Sequence, residues 1–315
     1  MSAWWLWMAL FQMGSPGGGE TQAIAFDPRD PQTIYAGAAK GLCKTTKGGK
    51  DNWPAVGLEG LSPRAIVVDA DAPDMVYAAT YEMGVYKSAD GGAHWRAVNN
   101  GLGDLSVRAL ALAGGVLVAG CDGGGVFRSR DGGETWSDAN RGLVDKVVRA
   151  IAVDPREPRA MLAGTWHGVY RTSDGGEHWS ADPAGVYDVD VAALGFDPSN
   201  PRRVYAATNP RGVWRSDDGG ATWRAGSRPL TEALRSLAVD PVNGDVFVGS
   251  GAGVWRSRDG GDSFARAGLA WSNMAWTLVF DGRTRPATLY YGGVGGVLKT
   301  VDGGAWWDVT GPVRP

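Results

Sequence analysis

Three observations on the 315-residue sequence predict an all-β fold, a seven-bladed β-propeller of four-stranded blades. A glycine-rich motif occurs seven times, and successive copies are separated by 41 to 44 residues. Two short apolar, β-branched runs lie between neighbouring copies, which is typical of strands. The 49 glycines and 17 prolines leave little room for long helices. About 42 residues per four-stranded unit is the period of a propeller blade, and seven such units can close a ring.

The motif itself predicts the third strand of each blade (C), a tight hairpin and a fourth strand (D) that opens on tryptophan. A representative copy is GVFRSRDGGETW from Gly125. The seven copies begin at Gly41, Gly84, Gly125, Gly168, Gly212, Gly253 and Gly296. The runs before each copy, such as RAIAV and MLAGT, predict strands A and B. In this order the D–A and B–C loops share one face of the ring, and the C–D hairpins lie on the opposite face.

The S/T-x-D-G-G-x-x-W core of the motif resembles the Asp-box of BNR-repeat propellers. Its hydroxyl and carboxylate groups can bond to backbone amides of the turn, and its glycines can adopt positive φ. We therefore interpret the Asp-box carboxylates as structural; they are Asp90, Asp131, Asp174, Asp218, Asp259 and Asp302. The glutamate that closes a calcium loop is missing, so we predict no metal site. The first copy departs from the pattern, because Lys47 replaces the aspartate and one extra residue precedes Trp53, and its hairpin is expected to be weaker.

Composition excludes several classes of protein. The 43% hydrophobic content excludes a disordered chain, and 31 basic against 34 acidic residues argues against nucleic-acid binding. Cys43 and Cys121 fit neither a metal pattern nor a disulfide framework. We assign residues 20–315 to the propeller and residues 1–19 to an apolar arm. The apolar run within that arm, Ala3 to Phe11, is too short to span a bilayer; an export signal or its remnant, a sticky arm and a wrongly assigned start codon all remain open.

The internal repeats separate structural from functional candidates, because a residue present in every blade is expected to serve the blade. The basic residue that precedes each Asp-box belongs to this class: Lys44, Lys87, Arg128, Arg171, Arg215, Arg256 and Lys299. The residue that opens strand A varies and should ring the central channel: Gln22, Arg64, Arg108, Arg149, Ala192, Arg235 and Trp276. The four arginines either pair with the upstream acids Asp104, Asp145 and Glu232, or bind an acidic segment or C-terminus of a partner.

The loops of the same face carry aromatic residues that break the repeat. The candidates are Tyr81, Trp166, His167, Tyr187, Trp271 and Trp276. Such a composition favours a protein interface and also suits stacking on sugars. Trp276 has a further interpretation, as a plug of the channel.

The sequence offers few routes to catalysis. His167 is the single histidine expected on this face, which argues against a Ser-His-Asp triad, and neither a metal cluster nor a phosphate-binding loop appears, so no cofactor is predicted. Glycoside hydrolysis needs two carboxylates, and Asp188 and Asp190 are the candidates. The BNR-repeat sialidases carry an R-I-P motif and usually six blades, and this sequence has neither. Xyloglucanase-like proteins use a cleft between two propellers, which one propeller cannot form.

Over residues 20–315 the chain looks like the photosystem II assembly and stability factor family, which are single seven-bladed Asp-box propellers. This resemblance implies a non-catalytic scaffold, and the ring of Arg64, Arg108, Arg149 and Arg235 is similar to that family's arginine-rich patch. Sortilin-type propellers share the Asp-box but have more blades and a cysteine-rich module absent here. We therefore expect a protein-binding scaffold for a membrane-associated complex, with a glycan-binding or glycan-cleaving propeller as the alternative. An exported (periplasmic or extracellular) or a membrane-associated location is favoured over a cytoplasmic one.

Overall fold

The computed structural model describes residues 20–50, 52–181, 185–268 and 274–310. The expected arm (residues 1–19) and Trp271 lie outside these ranges. The innermost strands (A) are β1 (Thr21–Phe26), β4 (Pro63–Val68), β8 (Val107–Ala113), β12 (Val148–Val153), β16 (Asp190–Asp197), β20 (Leu234–Val239) and β24 (Ala275–Asp281). The second strands (B) are β2 (Ile34–Ala38), β5 (Val76–Thr80), β9 (Val116–Cys121), β13 (Met161–Thr165), β17 (Asn200–Asn209), β21 (Val246–Ser250) and β25 (Thr288–Gly293).

The outer half of each blade is formed by the motif. Strands C are β3 (Gly41–Thr45), β6 (Gly84–Ser88), β10 (Val126–Ser129), β14 (Gly168–Thr172), β18 (Gly212–Ser216), β22 (Gly253–Ser257) and β26 (Gly296–Thr300). Strands D are two residues each: β7 (Arg96–Ala97), β11 (Ser137–Asp138), β15 (Ser180–Ala181), β19 (Arg224–Ala225), β23 (Ala265–Arg266) and β27 (Asp308–Val309). These antiparallel sheets build the predicted seven-bladed all-β propeller. In the described ranges no helix is long and apolar enough to cross a membrane.

Blade 1 is the exception to the four-stranded prediction. Its sheet has three strands, and the expected fourth is reduced to one bridge between Cys43 and Ala55. Residues 53–57 still follow the edge of β3, because the backbone N–H groups of Leu42 and Lys44 donate to Gly57 and Pro54 at 2.9 and 3.0 Å. A lysine ammonium group cannot accept hydrogen bonds from the turn N–H groups, whereas an aspartate carboxylate can. The replacement of the aspartate by Lys47 therefore accounts for the weaker hairpin.

The Asp-box of blade 3 shows how the motif closes a hairpin. Ser129 Oγ donates to Asp131 Oδ1 at 2.7 Å and accepts the Gly133 N–H at 2.8 Å. Asp131 in turn accepts bonds from both the backbone and the hydroxyl of Thr135. These bonds, the Thr135 hydroxyl first, lower the pKa of Asp131 to about 2. Gly132 and Gly133 have φ values of 69° and 90°, a conformation that side chains other than glycine rarely adopt.

Neighbouring blades are joined by the tryptophan and by the basic residue of the motif. Trp136 packs in the core between blades 2 and 3, and its Nε1–H donates to the Val98 carbonyl at 2.7 Å. Lys44 Nζ donates to the carbonyl of Gly91 in the next blade at 2.8 Å. Equivalent bonds are made by Arg128, Arg215, Arg256 and Lys299. Lys87 instead pairs with Glu134 of the next blade, and Arg171 is exposed and makes no such bond in the described part of the chain. The expected structural role is thus seen at six of the seven positions.

Candidate functional site

Hydrogen bonds between loops define the two faces of the ring. On one face the B–C loops meet the D–A loops, since the Asp122 N–H donates to the Ser106 carbonyl at 2.9 Å and the Asp188 N–H to the His167 carbonyl at 3.0 Å. On the other face the Asp-box hairpins meet the A–B turns, as in the bond from Gly91 N–H to the Asp74 carbonyl. The predicted partition of loops is therefore present.

The central channel opens on the B–C and D–A face in a cavity of about 310 Å³. All seven residues expected to open strand A line it: Gln22, Arg64, Arg108, Arg149, Ala192, Arg235 and Trp276. In every blade the register of strands A and B shifts at this residue. A β-bulge re-aims a side chain, and here it turns one residue per blade towards the channel. We call this cavity the channel mouth.

Two of the four arginines at the channel mouth are neutralised by carboxylates. Arg108 bonds to Asp122 at 2.6 Å, and Arg149 bonds to Asp190 of the next blade, also at 2.6 Å. The upstream acids expected as partners do not serve this role. Asp104 instead accepts the backbone N–H groups of Ser106 and Gly124 at 2.9 and 2.8 Å.

The other two upstream acids also form no ion pair with the expected arginine. Asp145 accepts the Val147 N–H at 3.0 Å and the His167 N–H at 2.8 Å, and Glu232 makes no ion pair with Arg235. Asp104 and Asp145 thus accept short-range bonds from the loop backbone in place of bonds from an arginine. The pairing of arginines with Asp104, Asp145 and Glu232 was therefore wrong, although arginine–carboxylate pairing itself occurs.

Arg64 and Arg235 have no carboxylate at ion-pair distance among the described residues. The Arg64 guanidinium lies 5.2 Å from the centre of the Tyr81 ring, and that of Arg235 lies 4.3 Å from the Trp276 ring. Both Nε atoms are buried and lack a hydrogen-bond partner. Burial, and then the nearby Arg108, lower the pKa of Arg64; burial, and then Arg149, lower the pKa of Arg235. The channel mouth therefore carries two positive charges that lie over aromatic rings and have no carboxylate at ion-pair distance in the described ranges.

The rim around the channel mouth carries exposed apolar side chains. Trp166 and Tyr187 are 54% and 63% exposed, and a bridge between Gly168 and Tyr187 joins their two loops. His167 directly follows Trp166 in the sequence, and its Nδ1 atom lies 3.0 Å from Asp145 Oδ2. The sequence interpretation did not single out three further exposed residues of these loops as anchors; they are Met83, Leu105 and Val144. Met83 and Val144 break the repeat in loops of this face, which is the signal that could have identified them, whereas Leu105 has its counterpart in Leu61 of blade 2.

The two candidate catalytic carboxylates occupy different environments. Asp190 bonds to Arg149 and accepts a bond from Asn209 Nδ2 at 3.2 Å, both through Oδ2, whereas its Oδ1 is buried without a hydrogen-bond partner among the described residues. Asp188 is exposed and adopts a left-handed conformation with φ 53°. Across the described ranges, no group of three or more histidine, cysteine or acidic side chains could hold a metal ion.

Comparison with known proteins supports the repeat and the fold. The family model of the BNR/Asp-box repeat matches residues 127–138. No curated protein sequence matches the chain. The chain thus carries a BNR/Asp-box repeat within a seven-bladed propeller.

Solved structures similar to this chain include a GH74 enzyme and YCF48. A GH74 xyloglucanase from Xanthomonas campestris superposes with a TM-score of 0.74 at 16% identity, over 96% of this chain and 55% of that chain. This chain thus spans about half of the enzyme. A structure of YCF48 bound to D1 peptide gives a TM-score of 0.70 at 18% identity, over 91% of this chain and 94% of that one. YCF48 from Cyanidioschyzon merolae gives 0.69 at 15% identity, over 90% and 95%. At such identities the likeness shows the propeller fold alone.

Proposed function

We propose that this propeller is a non-catalytic scaffold that binds an acidic segment of a partner protein at the channel mouth. Arg64, Arg108, Arg149 and Arg235 would face the segment, and the rim aromatics would pack against its apolar residues. The scaffold would assemble or stabilise a membrane-associated complex, and we propose that it works outside the cytoplasm. YCF48, which has a similar fold over a similar length, has been solved with a peptide bound, and this supports a protein partner.

One observation carries the proposal: Arg64 and Arg235 are half-buried cations without a carboxylate partner. A charge removed from water is unfavourable unless it is paired, and their lowered pKa values reflect this. A carboxylate that enters the channel mouth would supply the missing partner and satisfy the buried Nε atoms. Guanidinium groups suit this role because they bind carboxylates through two parallel hydrogen bonds. Arg108 and Arg149 are already paired, so Arg64 and Arg235 should dominate recognition.

The proposal is tested by calorimetric titration of the full chain with a hexaglutamate peptide at low salt. The Arg64→Gln/Arg235→Gln variant should bind at least about tenfold more weakly, since a hydrogen bond to a charged group contributes about 1.5–3 kcal/mol. An Arg29→Gln/Arg156→Gln variant is the matched control, because it removes the same charge from the opposite face. Equal weakening in both variants, or no binding by the wild type, would contradict the proposal. Capture of a native partner by the wild type, and its loss in the first variant, would extend the result to a protein.

A glycan-binding or glycan-cleaving propeller is the second candidate. It is favoured by the exposed Trp166 and Tyr187 rings, which adjoin His167 and Asp188 on joined loops, because such rings can stack on sugars. Xyloglucan is the first substrate to test, with an Asp188→Ala/Asp190→Ala variant as comparison. Absence of turnover by the wild type, or turnover that the double variant retains, would eliminate the enzymatic form of this candidate.

A further inference from the structure

The junctions between blades contain a recurring ion pair on the Asp-box side of the ring. The residue after the Gly-Gly pair of one blade is an acid that reaches basic residues of the preceding blade. Glu134 pairs with Lys87 at 3.0 Å and also with Arg96. Glu177 pairs with Arg128 at 2.7 Å and with Arg130 at 2.9 Å, and Asp262 pairs with Arg224 at 2.7 Å. A carboxylate therefore bridges blades 2 and 3, 3 and 4, and 5 and 6.

The junction of blades 6 and 7 keeps the basic residues and lacks the acid. The position of Glu177 is occupied by Ala305, whereas Arg256 and Arg258 correspond to Arg128 and Arg130. Arg256 is compensated within its own blade, because its Nε–H donates to Asp245 at 2.7 Å. Arg258 makes no ion pair with any residue that the structure describes. One guanidinium at this junction is thus left without the carboxylate that its equivalent has.

A cavity of about 730 Å³ extends from this junction along β23 to residues 228–230, which follow the fourth strand of blade 5. Besides Arg256 and Arg258, two further arginines without ion pairs in the described ranges line it, Arg228 and Arg266. The carboxylate of Asp259, also in the wall, is engaged within the hairpin by Ser257 Oγ at 2.7 Å and by the Ser263 N–H at 2.9 Å. Positive charge in the wall therefore exceeds negative charge.

Part of the remaining wall of the cavity is apolar. Leu230, Phe264 and Ala267 contribute them. Blade 6 is the blade in which phenylalanine, Phe264, replaces the Asp-box tryptophan, so its ring is smaller and has no N–H to satisfy. The cavity volume lies in the range of small-molecule sites, which combine apolar walls with a few polar groups.

We infer that this cavity binds a small organic oxyanion, whose carboxylate or phosphate group takes the place that Glu177 takes at the junction of blades 3 and 4. Arg258 binds the oxyanion, Arg228 and Arg266 add positive charge, and the apolar part of the ligand packs on Leu230 and Phe264. Guanidinium groups bind both oxyanions through paired hydrogen bonds. This site goes beyond the proposed function, because none of the residues that line it lines the channel mouth.

The test is calorimetric titration of the full chain with citrate and, separately, with inorganic phosphate at constant ionic strength. An Arg64→Gln/Arg235→Gln background removes binding at the channel mouth, so failure of the proposed function and failure of this site are distinguishable. Ala305→Glu places a built-in acid at the site and should weaken binding at least tenfold. Ala221→Glu is the matched control at the same position of blade 5, where Ser173 replaces the arginine, and should change affinity less than twofold.

Thermal unfolding supplies a second readout, because the expected result is a rise in Tm, which a variant that merely folds badly would not show. Ala305→Glu should raise Tm without added anion and should abolish the Tm increase that citrate or phosphate gives the parent, because the site is then filled. Stronger binding of citrate identifies a carboxylate ligand, and stronger binding of phosphate identifies a phosphorylated one. Binding of neither probe up to about 1 mM, or equal effects of Ala305→Glu and Ala221→Glu, would overturn the inference.

Discussion

The Asp-box carboxylates are held ionised by the hairpins that they close. Asp218 accepts bonds from Ser216 Oγ at 2.8 Å, from the Thr222 N–H at 2.8 Å and from the Thr222 hydroxyl at 2.6 Å. Burial alone would raise the pKa of Asp218, but these bonds lower it to about 2. A carboxyl group whose pKa is depressed by folding stabilises the protein above its unfolded pKa, near 3.9, and loses that contribution as the pH falls.

Replacement of Asp218 by asparagine should therefore destabilise the protein in a pH-dependent way. At pH 7 the loss should be about 1 kcal/mol, less than the pKa shift alone implies, because the group is partly exposed and screened. The difference from wild type should shrink below pH 4 and be lost as the pH falls through about 2, the pKa of Asp218 in the folded protein. Urea unfolding at pH 7, 5, 4 and 3 measures it; a difference that stays constant over this range would contradict the assignment.

The residues of the channel mouth show what the sequence could and could not predict. The alignment of the repeats placed one residue of each blade at the start of strand A. This alignment was sufficient to predict that Arg64, Arg108, Arg149 and Arg235 line one cavity. The pairing was not predictable, because Asp122 and Asp190 reach their arginines only through the geometry of the loops and of the bulge in strand A. Whether these residues bind a ligand stays a prediction.

The hairpin and its tryptophan are the element that joins one blade to the next. Trp136 is buried at the junction of blades 2 and 3, and its indole N–H has the Val98 carbonyl as partner. Trp95, Trp179 and Trp307 make the equivalent bonds to the blades before them. These four tryptophans thus combine packing between blades with a directed hydrogen bond to the preceding blade, whereas the buried Nε1 atoms of Trp53 and Trp223 have no partner among the described residues.

Trp136→Phe should lower the free energy of unfolding by about 1–3 kcal/mol, because it removes the bond and leaves space in a packed core. Trp306→Phe is the matched control: it removes the same atoms from a side chain that is 71% exposed, and should change stability by less than about 0.5 kcal/mol. Denaturant unfolding measures both. Similar losses in the two variants would mean that the junction does not depend on the buried indole.

Contacts between elements of different blades were the least predictable part of the fold. The strands, the hairpins and the inter-blade tryptophans follow from the period and from the motif. The acids that bridge blades, Glu134 and Glu177, were not recognised, because the partners lie 38 to 47 residues earlier in the chain. For blade 1, Lys47 predicted a weaker hairpin. It did not predict how much strand pairing is lost, so the reduction of the fourth strand to one bridge could not be anticipated.

At the scale of the whole ring, closure depends on lateral contacts between blades 7 and 1. In the described ranges each sheet is built from consecutive strands, so no strand is exchanged between the two ends of the ring. Phe26 and Tyr290 pack edge to face across this seam, with ring centres 5.1 Å apart. Lys299 donates to the Gly48 carbonyl at 3.3 Å. Since blade 1 also has the weakest hairpin, this seam is where we expect the ring to open first.

Arg283 offers a direct test of the seam. Its Nε–H donates to Asp281 of its own blade at 2.8 Å, and its Nη1 donates across the seam to the Asp27 carbonyl at 2.5 Å. Arg156 is a matched control, because it makes the same local bonds to Asp154 without a bond to another blade. Arg283→Ala should therefore lower the free energy of unfolding by about 2 kcal/mol, and Arg156→Ala by clearly less.

Hydrogen exchange distinguishes opening at the seam from a general loss of stability. In Arg283→Ala, the amides of β1 and β25 should exchange faster, while those of β12 and β13, on the other side of the ring, change little, because local opening exposes only the contacts nearest to the lost bond. In Arg156→Ala no such selective increase should occur. Uniform acceleration in all blades would instead mean that the ring opens as one cooperative unit and that blades 7 and 1 are joined as firmly as any other pair.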